Sequence, residues 1–381
     1  MSARLQRLRG VVAVTLTAVT LTAATLLAGP SADAAVRPTN DGVAARSPGV
    51  SGPATRGLYG SQDATYDGVY RQSLSLLALD AAGAPTQRAA VGWLLRQQCR
   101  TGQWTSYRSE LSAACGRGSG DSNATAMAVM ALEQVGRTAA TRRAARDGVR
   151  WLRAKQLPGG GWEYSRGWGA DANSTALALQ ALVSRGVRPA AVTVGGRSGL
   201  DFLRSLQLRC AAPAVARGAL DYQPQPTPAA NDYATVQAAQ ALARVALPVS
   251  PRRGAWSAPG RPDCTTGRLG LSASEAAVGY LARRLARHDG AIPATGGPGN
   301  DDGSTANAVL ALVGTGVARK QVAAAMRVLR ADARGYVLDD TRDTVPAAAA
   351  IVMLAVHATR GDPRDVDGLD LVARTRGSIT R

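Results

Sequence analysis

The sequence predicts an all-α protein built from six pairs of helices that close on themselves. Three observations carry this. One alanine-rich segment recurs six times, an arginine-bearing amphipathic segment follows most of its copies, and the outermost copies lack the polar face that an open array needs at its ends.

Each copy of the first segment starts four residues before an aligned Gln or Thr. The segments are Gly68 to Leu79, Asp121 to Leu132 and Asp171 to Leu182, then stretches opening at Asn231, Asp301 and Asp340, aligned on Gln72, Thr125, Thr175, Thr235, Thr305 and Thr344. A helix lined with alanine on several faces packs closely on all sides, so these segments are the predicted inner helices, beginning near 67, 121, 171, 231, 301 and 340. The intervening segments have one apolar stripe and arginines elsewhere, as outer helices facing water should. Their shared pattern is Trp93-Leu94 with Gln98, Gly102 and Trp104, then Trp151-Leu152 with Gln156, Gly160 and Trp162. Phe202-Leu203 with Gln207 repeats the first half only. Tyr280-Leu281 and Val328-Leu329 are degenerate copies, with Leu285 and Ala333 where Gln would stand.

Before the repeats, Arg4, Arg7 and Arg9 precede an apolar run from Val11 to Leu27 and the small residues around Ala34 and Ala35. That is the layout of a secretory signal peptide over 1–34, too short and wrongly flanked for a stable membrane anchor. The expected organisation is a leader at 1–34, a flexible Pro/Gly/Ser-rich linker at 35–57, a single domain at 58–373 and a tail at 374–381. The expected location is extracellular. Loss of three arginines and one aspartate with the leader takes the formal charge from +18 to +16. No arginine run is interleaved with aromatic residues in the way single-strand binders require, so the arginines read as solvated outer-helix positions and no nucleic-acid partner is expected. Cys99, Cys115, Cys210 and Cys264 make an even count in an exported chain and favour two disulfides among three connectivities. Cys99–Cys115 is the natural short loop. Cys210–Cys264 then follows by elimination, provided the long insertion between them folds back.

The pattern Gly-x2-Trp-Leu-x3-Gln-x3-Gly-x-Trp resembles the QW motif of the squalene-cyclase and protein prenyltransferase superfamily, through Trp93, Gln98, Gly102 and Trp104 and again Trp151, Gln156, Gly160 and Trp162. The resemblance covers nearly the whole chain after the leader. It implies an α6/α6 toroid whose glutamines cap helix ends, stack on the turn tryptophans and do no chemistry. It also implies where a class II cyclase would keep its proton donor, the central acid of Asp-x-Asp-Asp-Thr-Ala. Asn123 and Asn173 stand there, and an amide cannot donate such a proton. Asp365 and Asp367 match the letters after the last inner helix and read as chance. A prenyltransferase would need a zinc site of Asp, Cys and His, but His288 and His357 are the only histidines and lie far apart, so no metal and no cofactor is expected.

Inner-helix N-termini gather at one mouth of such a toroid, with unpaired N–H groups and positive dipole ends. Most of the Asp, Asn and Ser residues there read individually as helix caps. As a set, with nearby tyrosines and a tryptophan, they form a polar rim suited to a small organic ligand, whether isoprenoid, glycan or another. The expected ligand-binding residues are Tyr70, Asp121, Asn123, Trp168, Asp171, Asn173, Tyr233, Asp302 and Arg342. The sequence therefore points to a secreted binding protein without cyclase or zinc chemistry. The alternative is an enzyme, an atypical cyclase or a carbohydrate-active α/α barrel, using paired carboxylates such as Asp301 with Asp302 or Asp121 with Asp171.

Overall fold

The computed structural model describes residues 52, 54–116 and 118–381. The expected leader and nearly all of the expected linker lie outside the described residues. Among the described residues, six helices are buried almost all round: α1 (Gly68–Ala81), α3 (Ser122–Val135), α5 (Ala172–Ser184), α7 (Asp232–Leu242), α9 (Asp302–Thr315) and α12 (Pro346–Ala358). Each packs on the next, and α12 packs back on α1, so the inner helices form a ring. Around it run α2 (Arg88–Arg96), α4 (Ala139–Ala154), α6 (Gly199–Leu206), α8 (Ala273–Arg287), α10 (Arg319–Ala331) and α13 (Leu371–Gly377), with a short extra turn, α11 (Ala333–Val337). The protein is an all-α toroid. Among the described residues its strands are two-residue pairs, β1 (Trp162–Glu163) with β2 (Ala170–Asp171) and β3 (Thr193–Val194) with β4 (Arg197–Ser198). No helix among the described residues is long and apolar enough to cross a membrane.

The two helix types differ as their side chains require. In α3 every residue from Ser122 to Leu132 is buried, because alanines leave room for neighbours on both sides. In α4 only Thr141, Ala144, Ala145, Gly148, Val149 and Leu152 are buried, a single stripe at helical spacing.

The aligned Thr and the motif Gln prove to be interlocking stitches. Thr125, Thr175, Thr235 and Thr305 each accept, through Oγ1, a backbone N–H of the turn before their helix, from Trp104, Trp162, Leu220 and Ile292 at 2.9–3.0 Å. In the first repeat Gln72 Oε1 accepts from Tyr59 N–H. The Nε2 of Gln98, Gln156 and Gln207 donates to the carbonyl of the turn glycine (Gly102, Gly160, Gly218) and to a carbonyl of the next outer segment (Ala144, Val192, Ala273). Gln72 makes the same pair of bonds, to Gly57 and Ala90. The third copy is thus complete in space. Its glycine is Gly218 and its Trp position is Leu220, set back by an insertion carrying Cys210. The outer-helix end is capped by the tryptophan rather than the glutamine, since Trp104 and Trp162 donate Nε1–H to Leu94 and Leu152 carbonyls. The turn glycine is needed twice over. At Gly160 φ is +89°, and a Cβ would lie 2.4 Å from the Ser198 carbonyl oxygen.

One expected start is wrong. The last inner helix begins at Pro346, not near 340. The residue before a proline is driven out of the helical region, and Val345 is extended (φ −88°, ψ 98°). Residues 339–343 form a turn on the Asp339 carboxylate, which accepts from Thr341 and Asp343 N–H. Thr344 precedes its helix, whereas its counterparts sit inside theirs.

Two disulfides join Cys99 to Cys115 and Cys210 to Cys264. The second pair meets because residues 243–272, without helix or regular strand, fold back toward the α6–α7 connection. The end of the expected linker and the expected tail meet in a seam. Gly57 N–H donates to Thr380, Gly60 N–H to Ser378 and Thr380 N–H to Leu58.

Candidate functional site

The first turns of the inner helices carry the caps foreseen from sequence at four positions. Asp121, Asp171, Asn231 and Asp301 accept from Ala124, Ser174, Ala234 and Ser304 N–H. Asp67 instead sits in left-handed backbone (φ 56°) and binds Arg71 at 2.9 Å. Asp121 also accepts from Ser106 N–H, and Asp171 from Ser174 Oγ. Both carboxyls are almost wholly buried. Desolvation, partly countered by these bonds, pushes each up to about 6.

Tyrosines tie these helix ends together. Tyr164 lies within electrostatic reach of Asp121, and its own N–H favours the Asp171 carboxylate. Tyr233 is raised first by burial, then by Tyr70, Tyr222, Asp171 and Asp301, so the starts of α1, α5, α7 and α9 share one neighbourhood. Asp302 is pushed up to about 7 by burial, with Asp332 and Asp301 adding repulsion. Beside it stands Tyr336 of α11, a residue not foreseen from sequence. Its phenol is raised by burial and by Asp301 and Asp302, and its OH would lie 3.0 Å from a Cβ placed on Gly303.

Three buried polar atoms at these helix starts have no partner: Asn173 Oδ1, Tyr233 OH and Asp302 Oδ1. They come from α5, α7 and α9, three successive inner helices. Below them runs a second feature that the sequence reading missed. Gln180 Nε2 donates to Gln237, and Gln237 Nε2 and Gln240 Nε2 donate to Asn307 Oδ1, at 3.2–3.4 Å. Asn307 Nδ2 donates to the Gly303 carbonyl at 2.9 Å. All four side chains are buried, and Oε1 of Gln180 and of Gln240 are again unpartnered. Helical spacing puts Gln180 seven residues below Asn173, and Gln237 and Gln240 four and seven below Tyr233, on the same faces. The signal was present as amides interrupting alanine-rich runs at that spacing.

The remaining predicted residues fall around this core or outside it. Asn123 is buried beside Ser122, whose hydroxyl donates to the Glu163 carbonyl. Trp168 is 50% exposed and edge-on to Tyr164, with ring centroids 5.9 Å apart. Arg342 lies exposed in the 339–343 turn, displaced from a first helical turn by the late start of α12. Among the described residues, no group of three His, Cys, Asp or Glu side chains is placed to hold a metal ion. His288 contacts Arg284 at 2.6 Å.

A ring of buried helices stitched by motif glutamines and tryptophans defines a toroid similar to those of the terpenoid-cyclase superfamily. More narrowly, residues 58–192 match the squalene-hopene cyclase C-terminal domain family. Among solved structures, a sugar epimerase from a ruminal bacterium superposes with a TM-score of 0.52 at 13% identity, covering 81% of this chain and 94% of that one. The type II terpene cyclase MstE from Scytonema gives 0.48 at 16% identity, covering 76% and 88%. The ent-copalyl diphosphate synthase from Streptomyces platensis gives 0.49 at 18%, covering 77% of this chain and 51% of that one. No curated protein sequence matches the chain.

Proposed function

We propose that the protein is a secreted toroid that binds a small, hydroxyl-rich ligand where α5, α7 and α9 begin. The observation that carries this is the set of three unpartnered buried polar atoms, Asn173 Oδ1, Tyr233 OH and Asp302 Oδ1, above the amide ladder. Leaving such atoms unpaired costs about 1–3 kcal/mol each, and a ligand that pairs them recovers this. An isoprenoid offers no partners for them, whereas a polyol or sugar offers several. Tyr164 and Trp168, packed edge to face with ring centroids 5.9 Å apart, lie in the loop that leads into α5.

The test is a thermal-shift panel of neutral mono- and disaccharides against the purified protein. At least one sugar is expected to raise the Tm, since a ligand at 100 times its Kd stabilises by about 2.7 kcal/mol. Asn173→Ala and Tyr233→Phe should abolish the shift while changing the unliganded Tm little. If no sugar acts while geranylgeraniol does, or if both variants keep the response, the reading is wrong.

A second reading is favoured by Asp302. A carboxyl pushed up to about 7, with one oxygen free and the Tyr336 phenol close by, is matched to proton transfer at neutral pH. It makes the same site that of an enzyme acting on a hydroxylated substrate. Turnover of a panel sugar that vanishes in Asp302→Asn, with a pH profile inflecting near 7 in the wild type, would establish it. Binding without turnover would leave the protein a carrier.

A further inference from the structure

A groove of about 370 Å³ on the outer face is walled by Arg146, Arg150 and Arg153 of α4 and by Arg185 beyond α5. At Val187 it meets a second hollow of about 590 Å³, edged by Arg188 and Arg244. The α4 arginines stand at i, i+4 and i+7, one face about 10 Å long. Two of the six guanidiniums are neutralised, Arg150 by Asp147 at 2.8 Å and Arg185 by Glu133. Arg146, Arg153, Arg188 and Arg244 are exposed and make no side-chain bond or ion pair among the described residues. Arg244 is also held in left-handed backbone (φ 57°) at the end of α7, where α5 and α9 are followed by Gly186 and Gly316. The floor between the arginines is apolar, formed by Val149, Val187 and Pro189, and among the described residues no aromatic ring lines either hollow.

We propose that this groove binds an acidic polysaccharide, a glycan carrying carboxylate or phosphate groups along its length. Guanidinium forks pair bidentately with both groups. A row of four unpaired arginines matches repeated charges better than a single small anion. The apolar floor can take the C–H faces of sugar rings, while the lack of aromatic side chains leaves nothing for bases to stack on, which argues against single-stranded nucleic acid. The site is independent of the helix starts at the opposite ends of α5 and α7.

The test measures binding of polygalacturonate to the full-length protein at 50 and 200 mM salt. Wild type should bind, more weakly at the higher salt. Arg146→Ser/Arg153→Ser/Arg188→Ser should lose at least ten-fold in affinity. Arg319→Ser/Lys320→Ser/Arg327→Ser, which removes the same charge from α10, should change it less than two-fold. Arg146→Lys/Arg153→Lys/Arg188→Lys keeps the charge without the forks and should bind about three-fold more weakly, which guards against misfolding of the serine variant. Asn173→Ala should bind as wild type. Equal losses in the two serine variants would reduce the groove to net charge and overturn the proposal. So would tighter binding of single-stranded DNA of matched charge, or equal binding of neutral dextran.

Discussion

At the scale of single residues, Asp171 holds two roles that a substitution can separate. It caps α5, and it keeps a buried carboxyl whose titration lies near 6, about two units above an exposed aspartate. Asparagine caps a helix as well as aspartate and has no charge to bury. Asp171→Asn is therefore expected to hold or raise the Tm at pH 7, whereas Asp171→Ala should lower stability by about 1 kcal/mol, both read by thermal unfolding. Thr175 makes a matching case. Thr175→Val leaves the Trp162 N–H buried without its acceptor and should cost about 1–3 kcal/mol, with Thr175→Ser restoring most of it. The caps at Asp121, Asp171, Asn231 and Asp301 were legible because Asp and Asn before an alanine-rich run have few other uses. Tyr336 was not, because the α11 turn that carries it has no counterpart in the other repeats and so no pattern to betray it.

At the scale of elements, the turn between an outer helix and the next inner helix is the unit that repeats, and its glycine sets how closely neighbours approach. Gly160 and Gly167 both have φ +89°, but a Cβ at Gly160 would strike the Ser198 backbone, while one at Gly167 would meet nothing within 4 Å. Gly167→Ala should cost about 1 kcal/mol, the left-handed penalty alone. Gly160→Ala should cost at least about 2 kcal/mol more, because α6 must move; urea unfolding of the two variants measures the difference. The inner and outer helices could be read from alanine content and stripe width, and the turns from the glycine and tryptophan spacing. The sixth helix was misplaced because Thr344 carries the right letter at the wrong height, with Pro346 deciding the start. The amide ladder was overlooked for a related reason. In a run scored for alanine, Gln180, Gln237 and Asn307 look like interruptions, and only packing of α5 on α7 and α7 on α9 turns them into a chain of bonds.

At the scale of the whole molecule, buried carboxyls set the response to acid. Asp121 and Asp171, raised to about 6, and Asp302, raised to about 7, bind protons more readily folded than unfolded. Stability should therefore rise as pH falls from about 7.5 toward 4.5, where the unfolded chain begins to take up the same protons. Asp201, Asp263 and Glu275 are lowered by hydrogen bonds and act in the opposite sense, their contribution fading below about 4. A Tm maximum near pH 5 is expected, and it should flatten in Asp121→Asn/Asp171→Asn. The seam has a different kind of consequence. Gly57, Leu58 and Gly60 bond to residues more than three hundred positions later, so backbone from before α1 and after α13 is held side by side. Two ends joined in this way make the chain a natural subject for circular permutation. Linking residue 381 to residue 54 and cutting instead in the exposed stretch near Gly296 and Gly297 should leave the toroid intact, whereas deleting the final four residues should unlatch it.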